Sequence, residues 1–351
     1  MKALVLRRPY DLMVSDVATP EPAHDQVLVR MTNSGICGTD LKIFTGAMPA
    51  RYPVIMGHEM AGEVLDGADG SRLRRGDRVL VDPVLFCGFC VDCRAGRTNL
   101  CPNGAVIGRE VDGGFADFVV APRSHVYPLP PSIDSRTAPL IQVLTTVLHA
   151  QRRASVGRLP TPEHSRRRGP AEPQSVAVIG LGVSGQLHVQ LAKARGAGPV
   201  IGVTRSAWKR GVAERLGADL TVPTGDEGIQ AVRDATHGQG VDVVIESTGM
   251  VKCIGDAISM VRPGGTVVLF GIYTASEGAL PFYQLYYKEP IVISARAAMG
   301  EDFPESIDLV ARGRITLDPL VTQVLPVAEL TQALGLLESD ADGRMKIILD
   351  N

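Results

Sequence analysis

Four closely spaced cysteines constrain this chain more than any other stretch of its sequence. They follow the pattern C-x2-C-x2-C-x7-C and are Cys87, Cys90, Cys93 and Cys101. Gaps this short bring four sulfurs around one point, and Zn²⁺ favours four thiolates in a tetrahedron with bonds of about 2.3 Å. The spacing therefore predicts a closed lobe held together by a structural zinc ion.

The cysteine pattern has two alternative interpretations. Cys101-Pro102 resembles the end of an iron–sulfur cluster motif, but that motif has about three residues before its last cysteine. Two disulfides would require an oxidising compartment, whereas the chain opens Met1-Lys-Ala-Leu-Val-Leu, without a signal-peptide pattern. We therefore expect a reducing, cytoplasmic location, in which such a cluster binds metal.

The bulk composition indicates a soluble enzyme of two domains. The chain has 351 residues, of which 45% are hydrophobic and 21% charged, and this is ordinary for globular proteins. A formal net charge of −2 gives no reason to expect nucleic acid or an anionic membrane as partner. No apolar run approaches the roughly 18 residues of a transmembrane helix.

Two short motifs in the first part of the chain predict a second metal site. G-I-C-G-T-D contains Cys37 and Asp40, and G-H-E contains His58 and Glu59. A single cysteine or histidine is more often a core residue than a ligand, but here both lie beside glycines that mark turns. Cysteine, histidine and one further ligand would leave a fourth zinc position open, as in catalytic sites. We also expect Asp40 to orient the His58 imidazole.

Residues 1–148 are predicted to form a small β-rich domain, because Val27–Met31 and Arg78–Asp82 alternate apolar and polar residues between turn signals. Residues 149–297 carry strands alternating with helices, which predicts a doubly wound parallel sheet. We expect residues 298–351 to return to the first domain.

The second domain opens with a dinucleotide-binding pattern. A buried strand from Ser175 runs into G-x-G-x-x-G at Gly180, Gly182 and Gly185, and a helix follows from Gln186. In this context the first glycine makes a tight turn, the second admits the pyrophosphate and the third packs the helix against the strand. The free N–H groups at the helix start favour the phosphates.

The choice of dinucleotide follows from a missing carboxylate. An NAD site usually has an acid about 20 residues after the glycines, which binds the ribose 2′-hydroxyl. Between Gln186 and Ala213 there is no Asp or Glu, and the second strand ends at Thr204-Arg205. An arginine there can bind a 2′-phosphate in a bidentate fork, which predicts a preference for NADP(H) over NAD(H). The alternative is that Arg205 is a solvated surface residue.

A biased insert separates the two regions. A helix with an apolar stripe is expected over residues 136–151, and Arg152–Gln174 is then rich in arginine and proline without any apolar period. We interpret it as a solvated loop. The alternative is a basic flap near an anionic substrate or a cofactor phosphate.

With these motifs placed, the chain resembles the zinc-dependent medium-chain alcohol dehydrogenases, in particular the sorbitol, threonine and cyclitol dehydrogenase branch. The likeness extends nearly end to end and rests on G-I-C-G-T-D, G-H-E, the cysteine lobe, D-G-G-F-A, G-L-G-V-S-G and V-I-E-S-T-G. It implies a GroES-like catalytic domain, a Rossmann domain with a cleft between them, a cytoplasmic homodimer or homotetramer, one catalytic and one structural zinc, and a small alcohol or ketone as substrate.

The resemblance also implies roles for individual residues. Catalysis would involve Cys37, Thr39, His58 and Glu59, with Thr39 taking the substrate hydroxyl proton. The residues expected to bind the catalytic zinc are Cys37, His58, Glu59 and Gln142. The residues expected to contact the dinucleotide are Gly180, Gly182, Val183, Ser184, Gly185, Thr204, Arg205, Lys209, Thr248 and Gly271.

Two positions depart from the family pattern. Gln142 stands where a glutamate ligand is expected, and an amide oxygen is a poorer zinc ligand than a carboxylate, so Glu59 would bind the metal directly or the site would be loose. Lys42 replaces the histidine that often ends the proton relay. A lysine passes a proton only if burial or its neighbours lower its pKa.

The predicted reaction is reversible hydride transfer between NADP(H) and a secondary alcohol, polyol or aminocyclitol. A first alternative is an NADP(H)-binding sensor on the same scaffold with a degenerate metal site, which Gln142 would favour. A second is a zinc-free quinone or enone reductase, which has no use for Cys37, His58 and the cysteine lobe.

Overall fold

A computed structural model describes residues 1–67, 72–157, 173–338 and 342–351. It divides into two compact units. Unit 1 comprises Met1–Thr145, Ala297–Gly313 and Leu317–Asn351, and unit 2 comprises Thr146–Arg296 and Arg314–Thr316. The domain limits given above, 1–148, 149–297 and 298–351, stay a prediction. Of the basic insert 152–174, residues 158–172 lie outside the described residues.

Unit 1 is built mainly of short strands. They are β1 (Lys2–Arg8), β2 (Asp11–Asp16), β3 (Gln26–Gly35), β4 (Val54–Ile55), β5 (Glu59–Asp66), β6 (Arg78–Val81), β7 (Val84–Leu85), β8 (Ala105–Val106), β9 (Phe118–Pro122), β10 (Val126–Pro128), β17 (Val321–Pro326) and β18 (Lys346–Asp350). A seven-stranded sheet has the order β10-β6-β5-β3-β18-β17, with β9 also paired to β3. The smaller sheets are β2-β1-β4 and β7-β8.

The long strand β3 is the centre of the larger sheet. Val27, Val29 and Met31 are buried and Arg30 is exposed, since successive side chains of a strand point to opposite faces. Antiparallel pairing of β3 with β18 sets Gly35 opposite Ile348. This pairing brings the last strand of the chain next to the segment that leads into Cys37.

The helices of unit 1 are α1 (Gly38–Phe44), α2 (Val91–Arg94), α9 (Asp302–Ala311) and α10 (Leu330–Glu338), and α3 (Pro139–Arg153) continues from unit 1 into unit 2. α1 begins at the first metal motif, and α2 lies within the cysteine lobe. No helix among the described residues has both the length and the hydropathy needed to cross a bilayer.

Unit 2 is a parallel sheet with helices between its strands. The strands are β11 (Val176–Ile179), β12 (Val200–Val203), β13 (Leu220–Val222), β14 (Val241–Glu246), β15 (Val261–Leu269) and β16 (Ile291–Ser294). The helices are α4 (Val183–Ala194), α5 (Ala207–Arg215), α6 (Asp226–Asp234), α7 (Val251–Met260) and α8 (Phe282–Lys288). The order β13-β12-β11-β14-β15-β16 confirms the predicted doubly wound sheet. Strands β12 and β13 are added on one side of β11 and β14 to β16 on the other, so the strand order reverses between β11 and β14.

Two aspartates are buried together in unit 1. Asp82 and Asp302 are 2% and 0% exposed. Asp82 Oδ1 accepts a hydrogen bond from the N–H of Val84 at 2.9 Å, and Asp302 Oδ2 accepts one from Met299 at 2.9 Å. Desolvation raises the pKa of Asp82 to about 7, and the negative charge of Asp302 adds to the shift.

This raised pKa predicts a pH-dependent stability. The pKa of Asp82 is higher in the folded chain than in the unfolded chain, where it is about 3.8, so the folded state binds more protons between these two values. The free energy of unfolding therefore falls as pH rises from about 4 to 7. Asp82→Asn keeps an oxygen for Val84 and removes the titration. We expect the variant to lose about 2–4 °C less in melting temperature between pH 5 and 8 than the wild type.

The comparison is made by thermal unfolding at both pH values. The matched control is Asp308→Asn, which changes an exposed aspartate of α9 and should keep the wild-type slope. Equal slopes for Asp82→Asn and the wild type would show that Asp82 is ionised in the folded state at pH 5.

Candidate functional site

The four cysteines of the lobe lie in one cluster. Cys87 Sγ is 4.0 Å from Cys93 Sγ and 3.6 Å from Cys101 Sγ, and Cys90 Sγ is 3.9 Å from Cys101 Sγ. A tetrahedral zinc with bonds of about 2.3 Å separates its sulfurs by about 3.8 Å, whereas disulfide sulfurs lie about 2.0 Å apart. The four thiols are free, so their spacing fits a zinc ion and not a pair of disulfides.

A second group of metal-ligand atoms is formed by Cys37, His58 and Glu59, which all lie within 4.8 Å of one another. Cys37 precedes α1, and His58 and Glu59 lie at the start of β5. The turn before His58 requires glycine: Gly57 has a φ of 97°, and a Cβ there would lie 2.6 Å from the ring of Phe115. The sequence motifs therefore bring together three of the four predicted ligands.

Asp40 fixes the geometry of two of these ligands. Its Oδ2 accepts a hydrogen bond from the N–H of Cys37 at 2.8 Å, and its Oδ1 lies 3.2 Å from His58 Nδ1. With the carboxylate as acceptor, Nδ1 carries the proton and Nε2 is left to bind a metal. The contact between Asp40 and His58 expected from the sequence is present.

Glu59 is engaged by a lysine that the motifs did not reveal. Lys346 Nζ donates to Glu59 Oε1 at 2.8 Å and Oε2 at 2.7 Å, and also to the carbonyl of Ile36 at 3.0 Å. Lys346 and Glu59 are 3% and 0% exposed. A Cβ on Gly35 would overlap the Glu59 carboxylate. The sequence offers one signal for this pair, which is that Lys346 lies inside an otherwise apolar strand. A lysine buried there needs an acidic partner.

Acidic neighbours raise the pKa values of two basic groups in this cluster. Burial lowers the pKa of His58, but Asp40 and Cys37 outweigh it and raise the pKa well above the ordinary value. Burial likewise lowers the pKa of Lys346, and Glu59 and Cys37 raise it. Both positive groups are thus stabilised by surrounding acids. A thiol, an imidazole and a carboxylate with a fourth position open are the donor set of a catalytic zinc.

The other residues predicted for this site lie on helices α1 and α3. Thr39 is half-buried in the first turn of α1, two residues after Cys37. Gln142 is buried on α3, where its backbone carbonyl accepts a hydrogen bond from Thr145 Oγ1 at 2.6 Å. Lys42 lies in the last turn of α1. The roles of Thr39 and Gln142 stay predictions.

In unit 2 the glycine motif makes the expected turn between β11 and α4. Gly180 has a φ of 90°, which favours glycine, and Gly182 is the residue before α4. A Cβ on Gly185 would overlap the carbonyl of Gly180. Val183 and Ser184 form the first turn of α4. The N–H groups of this turn point to the carboxyl edge of the sheet, where phosphates bind.

The end of β12 carries the basic residues. Arg205 is exposed. Arg210 Nη1 donates to the carbonyls of Thr204 and Arg205 at 2.9 and 3.1 Å, and Ser206 Oγ accepts from the N–H of Lys209 at 3.2 Å. These bonds fix the backbone that carries Arg205. Arg210 is therefore a supporting residue that the sequence analysis left without a role.

Two more predicted residues, Thr248 and Gly271, follow β14 and β15. Thr248 lies beside Gly180, because a Cβ added to Gly180 would be 2.6 Å from Thr248 Cγ2. Gly271 lies beside Gly249, whose backbone a Cβ on Gly271 would overlap. The structure therefore brings Thr248 to the turn that contains Gly180, and Gly271 to the turn that contains Thr248 and Gly249. Glu246, whose side chain organises these turns, was not predicted as a site residue.

Comparison with known proteins decides the family. The sequence model of the alcohol dehydrogenase GroES-like domain matches residues 23–131, and that of the zinc-binding dehydrogenase matches residues 184–312. The chain belongs to the zinc-type alcohol dehydrogenases. It is thus an oxidoreductase with a GroES-like unit and a Rossmann unit, as the sequence predicted.

Three relatives illustrate the likeness of this dehydrogenase. L-galactonate-5-dehydrogenase of Escherichia coli K12 is 32% identical over 95% of this chain and 94% of the relative. A zinc-binding dehydrogenase of Sinorhizobium meliloti 1021, solved with NADP, is 32% identical with a TM-score of 0.89 and covers 100% of this chain and 99% of its own. An alcohol dehydrogenase of E. coli CFT073, solved with NADH, is 27% identical with a TM-score of 0.88 over 100% and 99% of the two chains.

The buried ion pair predicts a large stability effect in the dehydrogenase. Lys346→Met removes the partner of Glu59 and leaves a buried carboxylate without its counter-charge. We expect the free energy of unfolding to fall by about 3–5 kcal/mol, the usual cost of breaking one side of a buried pair. Urea unfolding measures it. The double variant Glu59→Gln/Lys346→Met should recover part of the loss, and a single variant as stable as the wild type would show that the pair is not formed.

Proposed function

We propose that this dehydrogenase transfers a hydride between NADP(H) and a secondary alcohol of the polyol or aminocyclitol type, or the matching ketone. The observation that carries the proposal is the cluster of Cys37, His58 and Glu59, whose ligand atoms all lie within 4.8 Å of one another. Three such ligands would leave a fourth zinc position for a substrate oxygen. When bound, zinc acts as a Lewis acid that lowers the pKa of an oxygen attached to it. The alternative of a sensor without catalysis is not favoured, because the relatives are named dehydrogenases.

The chain's own residues have separate tasks in this proposal. Asp40 holds His58 in the tautomer that presents Nε2. Thr39 takes the proton of the substrate hydroxyl. Lys346 holds Glu59 and balances its charge, so Glu59 lies close enough to contribute an oxygen to the metal without being an unpaired buried acid. If Gln142 replaces a glutamate ligand, the site carries one negative charge less than it would with glutamate.

NADP(H) is proposed over NAD(H) on the strength of the second strand of unit 2. The sequence has no Asp or Glu between Gln186 and Ala213, and Arg205 follows the strand on a backbone that Arg210 holds. One structural relative was solved with NADP and another with NADH, so the family accommodates both. The local residues of this chain support NADP(H).

A homodimer or homotetramer is part of the same proposal. β16 is the last strand of its sheet, and Ile291 and Val292 on it are 47% and 45% exposed. Neighbouring α8 exposes Tyr283 and Tyr286 by 76% and 80%. An apolar edge strand and aromatic surface of this kind support association with a second copy.

Cys37→Ser tests the metal site and the activity together. We expect the wild type to contain about two zinc ions per chain and to oxidise members of a panel of polyols and secondary alcohols. The variant should retain about one zinc and lose at least 100-fold in kcat/KM, because it loses a ligand of the catalytic zinc only. Metal analysis and NADPH absorbance measure this.

The matched control for the metal count is Cys253→Ser. Cys253 is a buried core residue of α7, so this variant should keep both ions. One zinc per chain in the wild type, or unchanged activity in Cys37→Ser, would contradict the proposal.

Arg205→Ala tests the cofactor preference. Removing the guanidinium should raise the Kd for NADPH by about 10- to 100-fold and leave the Kd for NADH nearly unchanged, since only NADPH carries the 2′-phosphate. The single tryptophan of the chain, Trp208, lies three residues away and its fluorescence reports binding. Arg215→Ala, on the exposed last turn of α5, is the control. Equal effects on both cofactors would rule out recognition of the phosphate by Arg205.

A further inference from the structure

Three turns meet at the carboxyl edge of the sheet in unit 2. They follow the neighbouring strands β11, β14 and β15 and approach each other at backbone distance. A Cβ on Gly180 would lie 2.6 Å from Thr248 Cγ2, and a Cβ on Gly249 would lie 2.7 Å from the carbonyl of Ile272. The turn after β14 is therefore enclosed by the two others, and whatever positions it also shapes the glycine turn.

The Glu246 carboxylate organises this arrangement. Glu246 is 0% exposed. Its Oε1 accepts from the N–H of Thr248 at 2.7 Å and from Thr248 Oγ1, and its Oε2 accepts from the N–H of Gly249 at 3.1 Å and from the hydroxyl of Tyr273. A buried carboxylate is costly unless its oxygens are hydrogen-bonded, and these four donors are uncharged. Each lost donor therefore weakens the whole turn.

Tyr273 is the side chain that joins the β15 turn to this carboxylate. The other three donors belong to Thr248 and Gly249, within the β14 turn itself. Desolvation and the hydrogen bond to Glu246 both raise the pKa of Tyr273, so its hydroxyl stays protonated and donates at physiological pH. Without that hydroxyl, Oε2 keeps one donor and the β15 turn keeps only its backbone bonds to Glu246, from Phe270 and Gly271.

We infer that Tyr273 is a positioning residue for the dinucleotide, acting through Glu246 to hold Thr248 and Gly249 against the glycine turn. The inference rests on the proposed function, because it assumes that a dinucleotide binds at Gly180. The order of the strands indicates which half of the dinucleotide Tyr273 supports. β12, which Arg205 follows, lies on one side of β11, and β14 lies on the other. A dinucleotide lies across the edge of the sheet where the strand order reverses. Tyr273 therefore supports the half of the cofactor away from Arg205, which is the same in NADP(H) and NAD(H).

The test is Tyr273→Phe, with binding of NADPH and NADH measured by titration calorimetry. We expect the Kd of both cofactors to rise by the same factor, about three- to tenfold, which is the usual effect of one hydrogen bond. The KM for the cofactor should rise by more than kcat falls. Tyr10→Phe, which changes an exposed tyrosine of unit 1, is the control and should match the wild type. The melting temperature of each cofactor-free variant is measured alongside.

A second variant tests whether Tyr273 acts through the carboxylate. In a Glu246→Gln background, Tyr273→Phe should have little further effect on either Kd, because the partner of the hydroxyl is already altered. An additive effect would overturn the inference. So would an unchanged Kd in Tyr273→Phe, or a rise for NADPH alone. A wild type that binds neither cofactor would instead refute the proposed function, and the two failures are thereby distinguished.

Discussion

The candidate site of unit 1 depends on a buried ion pair between Glu59 and Lys346, which are 287 residues apart in the sequence. The ammonium satisfies both carboxylate oxygens and also the carbonyl of Ile36, the residue before Cys37. A buried pair of this kind adds little net stability, but removal of either partner is costly. Its consequence is geometric: the pairing of β18 with β3 places Lys346 beside Glu59 and the segment that leads into Cys37.

A second carboxylate arranges the neighbouring ligands. Asp40 is shared between the backbone of Cys37 and the ring of His58, so the cysteine and the histidine are positioned by one carboxylate. The glycines at 35 and 57 leave the space that these contacts need. Unit 2 uses the same principle at Glu246, where uncharged donors replace the lysine.

Much of this could be predicted from the sequence. The cysteine lobe and the strand–glycine–helix turn are local motifs, so their residues meet without help from distant chain. The cluster of Cys37, His58 and Glu59 joins two separate motifs, which were recognised by their residue types. The parallel sheet followed from alternating strands and helices, although β13, with three residues, was too short to be recognised. The lobe's sulfur spacing fits the zinc that the pattern predicted and does not fit two disulfides.

The rest depends on contacts across long separations. Lys346 with Glu59 and Tyr273 with Glu246 are pairs that strand pairing and turn packing create, and one sequence gives no register from which to predict them. The partly buried Arg210, to which the sequence assigned no role, supports the backbone of Thr204 and Arg205. The Asp82–Asp302 pair was likewise hidden, because each aspartate alone resembles a turn residue.

Anomalous diffraction from crystals of the zinc-loaded enzyme, recorded on both sides of the zinc absorption edge, tests the central claim most directly. The account predicts two peaks per chain, one among Cys87, Cys90, Cys93 and Cys101, and one between Cys37 Sγ and His58 Nε2. A single peak at the cysteine lobe, with Cys37 and His58 binding no metal, would contradict it.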